Sequence, residues 1–222
     1  MRFDTILFDL DGTLTDSAPG ITGSVRYALT TMGKPVPDDL TCFVGPPLKY
    51  SFMTFTGMDE DEAQMAIQHY VSRYIDEGGM FENSVYDGII DMLARLKAAG
   101  IRSVIATSKH EPIAVRIADR FGLSPYLDGV YGSDRDAGRT EKADVIRYAL
   151  DGMGITDSSR PLMVGDRDYD SKGAHDVGIA CMGILWGYGS REEFAACGTE
   201  YIVSTPNEAA DLILDRALRV KS

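Results

Sequence analysis

The sequence is poor in cysteine, histidine and tryptophan, with three, three and one among 222 residues. Cys42, Cys181 and Cys197 are odd in number and show no C-x-x-C spacing. That argues against a disulfide framework and for a reducing, cytoplasmic setting. His69, His110 and His175 stand too far apart for zinc-ligand spacing. Long apolar runs are missing too: none approaches the ~20 residues that span a bilayer. Met1-Arg2-Phe3-Asp4 does not open a signal peptide, so no membrane association is expected. Positive charge is scarce, 22 Lys and Arg against 34 Asp and Glu, for a net charge of −12. Such a surface repels nucleic acid and anionic membranes. An anionic substrate would then need local positive charge inside its site, which makes individual lysines worth locating. The remainder, 44% hydrophobic and 25% charged, is ordinary globular material, long enough for one large domain or a core with a smaller companion.

Against that background, Phe8-Asp9-Leu10-Asp11-Gly12-Thr13 carries the most information. Two carboxylates two residues apart follow the apolar run Thr5-Ile6-Leu7-Phe8, which reads as a short buried strand ending at a turn residue. Active sites of open α/β sheets lie at the carboxyl ends of strands, so these acids are placed for chemistry. Gly12 allows a sharp turn and a close backbone approach to a ligand. Taken alone, the same residues also fit a polar exit from the strand, with Asp11-Gly12 only a turn signal.

Periodicity gives the organisation. Ile21, Val25, Ala28, Leu29 and Met32 share a helical face, as do Ala63, Ala66, Ile67, Tyr70, Val71 and Tyr74. Between them lie the loop Gly45-Pro46-Pro47 and a short helical stretch bearing Leu48, Phe52 and Phe55. No strand pattern occurs from about Asp16 to Asn83, far longer than the ~2–6 residues of an ordinary strand-to-helix loop, so this segment reads as a small inserted helical domain. From Tyr86 onward, helix and strand alternate. Asp87 is the expected N-cap of a helix stopped by Gly100, and a strand follows that closes at Thr107. Strands are also expected at Val130-Tyr131, Leu162-Met163-Val164, Ala180–Ile184 and Tyr201-Ile202-Val203. Thr205-Pro206-Asn207-Glu208 combines a capping box with proline at the first helical position, opening the last helix. Alternation of this kind predicts an α/β fold with a parallel sheet covered on both faces.

The first stretch resembles the opening signature of the haloacid-dehalogenase-like hydrolases, a superfamily made up mostly of phosphatases. Its other three signatures have counterparts in the same order: Thr107 after Ser103-Val104-Ile105-Ala106, a lysine at Lys142, and Gly165-Asp166-Arg167-Asp168-Tyr169-Asp170. Together they cover nearly the whole chain. Lys172 is the competing position for the lysine, although Gly138-Arg139-Thr140-Glu141-Lys142 before an amphipathic helix fits the third signature better. The resemblance is nearest to the phosphoglycolate phosphatase and 5′-nucleotidase branch with a helical cap. It implies a Rossmann-like core of residues 1–14 and 86–222 and an all-helical cap of residues 15–85.

What the resemblance implies chemically is concrete. Asp9 would attack phosphorus to form an aspartyl-phosphate. Asp9 and Asp166 would hold Mg²⁺ through their side chains and Asp11 through its main-chain carbonyl, with Asp170 nearby, directly or through water. Asp11 would protonate the alkoxide leaving group and later activate water. Dehalogenases of the superfamily lack an aspartate there, so having both acids argues against dehalogenation. The Thr107 hydroxyl, the Ser108 N–H and the Lys142 ammonium would bind the phosphoryl oxygens. Many relatives carry asparagine where Ser108 stands, so no specific side-chain contact is expected from it. Lys109 would add peripheral positive charge, and Lys49 and Arg73 are the cap cations to inspect for contact with the leaving group. The expected function is Mg²⁺-dependent hydrolysis of a small phosphate ester, phosphoglycolate or a nucleoside 5′-monophosphate. The alternatives are a sugar-phosphate mutase of the same superfamily and a non-catalytic regulator that kept the fold.

Overall fold

The computed structural model describes residues 3–134, 136–157 and 160–218, the last three as backbone. The chain divides into two compact units, Met1–Thr15 with Val85–Ser222, and Asp16–Ser84.

The first unit is built on a six-stranded, all-parallel sheet in the order β5-β4-β1-β6-β7-β8. Its strands are β1 (Thr5–Phe8), β4 (Arg102–His110), β5 (Gly129–Ser133), β6 (Pro161–Gly165), β7 (Ala180–Ile184) and β8 (Tyr201–Val203). The short strands β2 (Thr15–Asp16) and β3 (Ser84–Val85) form a separate two-stranded pair. Strand β1 is central, with Phe8 level with Ile105 of β4 on one side and Val164 of β6 on the other. The chain therefore leaves β1 in one direction for β4 and β5, and in the other for β6, β7 and β8. A crevice at such a reversal of strand order, beyond the carboxyl ends, is where open α/β sheets bind ligands.

All four residues of β1 and all five of β6 are buried, as expected of parallel strands covered on both faces. The covering helices are α4 (Ile89–Ala98), α5 (Glu111–Arg120), α6 (Lys142–Gly152), α7 (Asp168–Asp176), α8 (Arg191–Cys197) and α9 (Pro206–Leu218). On one face Leu7, Val104 and Met163 pack with Val145, Ile146 and Ala149 of α6. The boundary of α4 differs by one residue from the expectation at Asp87: the N-cap is Gly88, at φ 86°. A residue entering the helix from that left-handed conformation is best a glycine. At α9 the Thr205 hydroxyl accepts the Glu208 N–H (3.1 Å), while the Glu208 carboxylate reaches back to Ser204 N (2.7 Å) rather than to Thr205 itself.

The second unit is helical: α1 (Ala18–Thr31), α2 (Leu48–Thr56) and α3 (Glu60–Val71), the last extended by a π-helical turn at Ser72–Asp76. Its core joins Val25, Ala28 and Leu29 of α1 to Ala63, Ala66 and Tyr70 of α3. Phe43 and Phe52 meet edge-to-face, with centroids 5.2 Å apart. Asp59 caps α3 by accepting the Glu62 N–H at 2.9 Å.

Candidate active site

The acids converge at the carboxyl end of β1. Asp9 is the first residue past the strand, and its N–H donates to Val164 O at 2.9 Å, so it stays locked to β6. Asp166 leaves β6 directly, and Asp170 lies in the first turn of α7. Ligand oxygens of Asp9, Asp166 and Asp170 all lie within 4.8 Å of one another, and all three residues are buried. Lys142, the first residue of α6 and also buried, places its ammonium 2.7 Å from Asp9 Oδ1 and 2.8 Å from Asp170 Oδ1.

Burial and the neighbouring carboxylates set the ionisation. Burial, with Asp170 and Asp9 adding to it, holds the Asp166 carboxyl well above the usual carboxylate range. Burial also pushes Asp170 up to about 6, against the opposing pull of Lys142. Burial disfavours the Lys142 charge, yet Asp170 and Asp9 outweigh it and hold the ammonium above its ordinary value. Three buried carboxylates facing one ammonium leave excess negative charge, which a metal cation would neutralise. The donor set, all oxygen, suits a hard divalent ion, so these residues fit the metal that the motifs imply.

The turn after β1 is shaped around Asp166. Gly12 sits at φ 82°, and a Cβ there would fall 2.2 Å from Asp166 Oδ2. Thr13 Oγ1 donates to Asp166 Oδ1 at 3.4 Å. From the far side comes a loop that the sequence reading does not anticipate, Trp186-Gly187-Tyr188-Gly189 after β7. Tyr188 N donates to Asp166 Oδ2 (2.9 Å) and Trp186 Nε1 to Thr13 O (3.0 Å). A Cβ at Gly189 would lie 1.9 Å from Asp166 O, so only glycine admits this approach. The available signal was a G-x-G at a strand exit. Helix α8 also goes unanticipated. Its Glu193 accepts from Arg167 Nε (2.9 Å) and Asp168 N (2.7 Å), bracing the segment between the two acids.

The remaining predicted positions distribute as follows. Thr107 is buried beside the carboxyl end of β1, its Oγ1 accepting the Lys109 N–H at 3.2 Å; Ser108 follows it, half-buried. Asp11 is half-buried, with Oδ2 2.9 Å from Lys109 Nζ. Lys172 points to solvent on α7 and pairs with Asp168. In the helical unit, Lys49 pairs with Glu60 at 3.3 Å with both side chains exposed, and Arg73 pairs with Glu77 and Glu82.

Fold and site define an open, parallel α/β protein whose buried acids and lysine meet at the switch point of the sheet. The family model described as haloacid dehalogenase-like hydrolase matches residues 6–184. The chain belongs to that family of enzymes. It is 43% identical over 198 residues to a 5′-nucleotidase of Pseudomonas aeruginosa, covering 88% of this chain and 89% of the relative. It is 31% identical to a phosphoglycolate phosphatase of Caulobacter vibrioides, covering 85% and 81%. A tyrosine-protein kinase, PtkA of Mycobacterium tuberculosis, is 44% identical over 83% of this chain, which spans only 62% of that protein. The crystal structure of a predicted phosphatase from Clostridium acetobutylicum superposes with a TM-score of 0.89 at 44% identity, covering 97% of this chain and all of that one.

Proposed function

We propose that this chain is a Mg²⁺-dependent phosphatase acting on a small phosphate monoester through an aspartyl-phosphate on Asp9. The observation that carries this reading is the buried convergence of Asp9, Asp166 and Asp170 on the Lys142 ammonium. The names of the phosphatase and 5′-nucleotidase relatives support it.

An Asp9 carboxylate oxygen attacks phosphorus as the bond to the leaving alkoxide breaks, and Asp11 gives that alkoxide its proton. Water then attacks the phosphorus of the aspartyl-phosphate, its proton passing to Asp11. Phosphate departs and Asp9 is free again. Lys142, the Thr107 hydroxyl and the Ser108 N–H hold the phosphoryl oxygens and offset their charge. Asp9, Asp166, the Asp11 carbonyl and, directly or through water, Asp170 would hold Mg²⁺, which would supply charge neutralisation between two anions that otherwise repel.

These groups address only what every phosphomonoester shares, so discrimination falls to other residues. We assign it to the helical unit, with Lys49 the cation to test. Its side chain is exposed and paired with the exposed Glu60, and the partner it would suit is a leaving group that carries a carboxylate or second phosphate. Lys49→Ala is expected to raise KM for such a substrate and to leave p-nitrophenyl phosphate turnover within several-fold. An unaltered substrate profile would remove the assignment.

The reading is tested by phosphate release from phosphoglycolate, nucleoside monophosphates, sugar phosphates and pyrophosphate, with and without Mg²⁺. Mg²⁺-dependent release from at least one ester is expected. Release from none would favour a regulator, and isomerised sugar phosphate without free phosphate would favour a mutase. Transfer from ATP to tyrosine, without ester hydrolysis, would align the chain with its kinase relative instead.

A further inference from the structure

Strand β4 does not stop at Thr107, where the sequence pattern ends it, but runs on to His110. Its pairing with β5 shifts there. Thr107 is level with Gly132, yet His110 is level with the very next residue, Ser133. Ser108 and Lys109 are thus extra residues in a bulge, a device that re-aims side chains beside active sites. The bulge is held in a fixed shape. Lys109 N donates to Thr107 Oγ1 at 3.2 Å, and Glu111 Oε2 accepts the Gly132 N–H at 3.0 Å. A Cβ on Gly132 would fall 2.6 Å from Lys109 O and 2.5 Å from Glu111 Cα, so the two strands approach as only glycine allows.

What the bulge delivers is the Lys109 ammonium, 2.9 Å from Asp11 Oδ2, with the two side chains only 9% and 13% exposed. Asp11 Oδ1 is buried and has no hydrogen-bond partner among the described residues. Fixing one oxygen of a carboxylate fixes the direction of the other. A pair this secluded costs desolvation, so it is a poor device for stability alone.

We propose that Lys109 is the positioning residue of Asp11: it holds Oδ2 so that Oδ1 is presented to the leaving-group oxygen. This rests on the general-acid role given to Asp11 above. A proton donor contributes only when it is in hydrogen-bond reach of the atom it serves, so an Asp11 released from Lys109 loses that contribution.

The test is the dependence of kcat/KM on leaving group, measured with Mg²⁺ over a series from p-nitrophenyl phosphate to phenyl phosphate. Protonation matters little for the first and more for the last. Lys109→Met is expected to lose at least about 10-fold more activity on phenyl phosphate than on p-nitrophenyl phosphate. Lys109→Arg restores most of the difference, and Lys109→Gln serves where the methionine variant does not fold. In an Asp11→Asn background Lys109→Met adds no further leaving-group dependence. Parallel losses across the series, a gain on phenyl phosphate, or an additive effect in the Asp11→Asn background would overturn the proposal. Failure of the underlying reading looks different: Asp11→Asn alone then leaves the leaving-group dependence unchanged.

Discussion

Lys142 sits between Asp9 and Asp170 with its ammonium within hydrogen-bond distance of both, and all three residues are buried. A charge so placed is already oriented when a phosphoryl group arrives, and losing one preorganised donor of this kind typically costs about 10²–10³-fold in turnover. Lys142→Ala should lose at least that order. Lys172→Ala should stay within several-fold, because its side chain is 63% exposed and pairs with Asp168 on its own helix. Steady-state kinetics on one ester ranks the two, and the reverse order would mean that the site lysine is Lys172. The ammonium also explains how Asp9 and Asp170 share one buried space: without it, two carboxylates would face each other with no counter-charge until a metal arrived.

Among the elements, the turn after β1 and the loop after β6 were legible in the sequence. Short apolar strands, an acid at each exit and Gly12 are local signals that do not depend on the rest of the fold. The helical insertion was legible too, because its apolar residues recur at helical spacing over three segments without a strand pattern between them. The bulge in β4 was not legible, since nothing in Thr107-Ser108-Lys109-His110 distinguishes a strand that continues with extra residues from one that ends. Its role depends on Gly132, more than twenty residues away. Helix α8 left a signal in Ser190-Arg191-Glu192-Glu193, where Ser190 Oγ accepts the Glu193 N–H at 3.2 Å, but seven residues give too few turns for a periodic pattern. That helix matters through Glu193, which receives hydrogen bonds from Arg167 and Asp168, between Asp166 and Asp170. Residues that orient metal ligands from outside typically change affinity by about 10–100-fold when removed. Glu193→Ala should raise the Mg²⁺ concentration for half-maximal activity about 10-fold, with kcat at saturating Mg²⁺ close to that of the parent. A Mg²⁺ titration of activity separates this from a general loss of fold, which would lower kcat at every Mg²⁺ concentration.

Over the whole molecule, a net charge of −12 surrounds a site that must accept an anion. Local cations such as Lys142, together with the proposed Mg²⁺, would resolve that conflict at the site alone, leaving the rest of the surface acidic. The buried acids also couple folding to pH. Asp166 and Asp170 are both held above the ordinary carboxylate range near about 4, Asp170 at about 6. The folded, metal-free protein therefore binds these protons more tightly than the unfolded chain does. Their stabilising contribution is present below the unfolded value and is lost as pH rises through the folded one. Mg²⁺ bound at these acids would displace the same protons, so its stabilising effect should grow as pH rises across that window. Melting curves with and without Mg²⁺ at both ends of the window check this, and an equal Mg²⁺ shift at both ends would count against metal binding at these acids.

In the proposed mechanism Asp9 carries the phosphoryl group between the two half-reactions. That role is tested most directly by acid-quenching the enzyme during turnover of a radiolabelled ester with Mg²⁺ and mapping the label by mass spectrometry. The expected result is a labelled peptide containing Asp9, absent in Asp9→Asn, which keeps the side-chain shape but lacks the attacking charge. Mg²⁺-dependent phosphate release by an Asp9→Asn variant at the parent rate, or label on a residue other than Asp9, would contradict it.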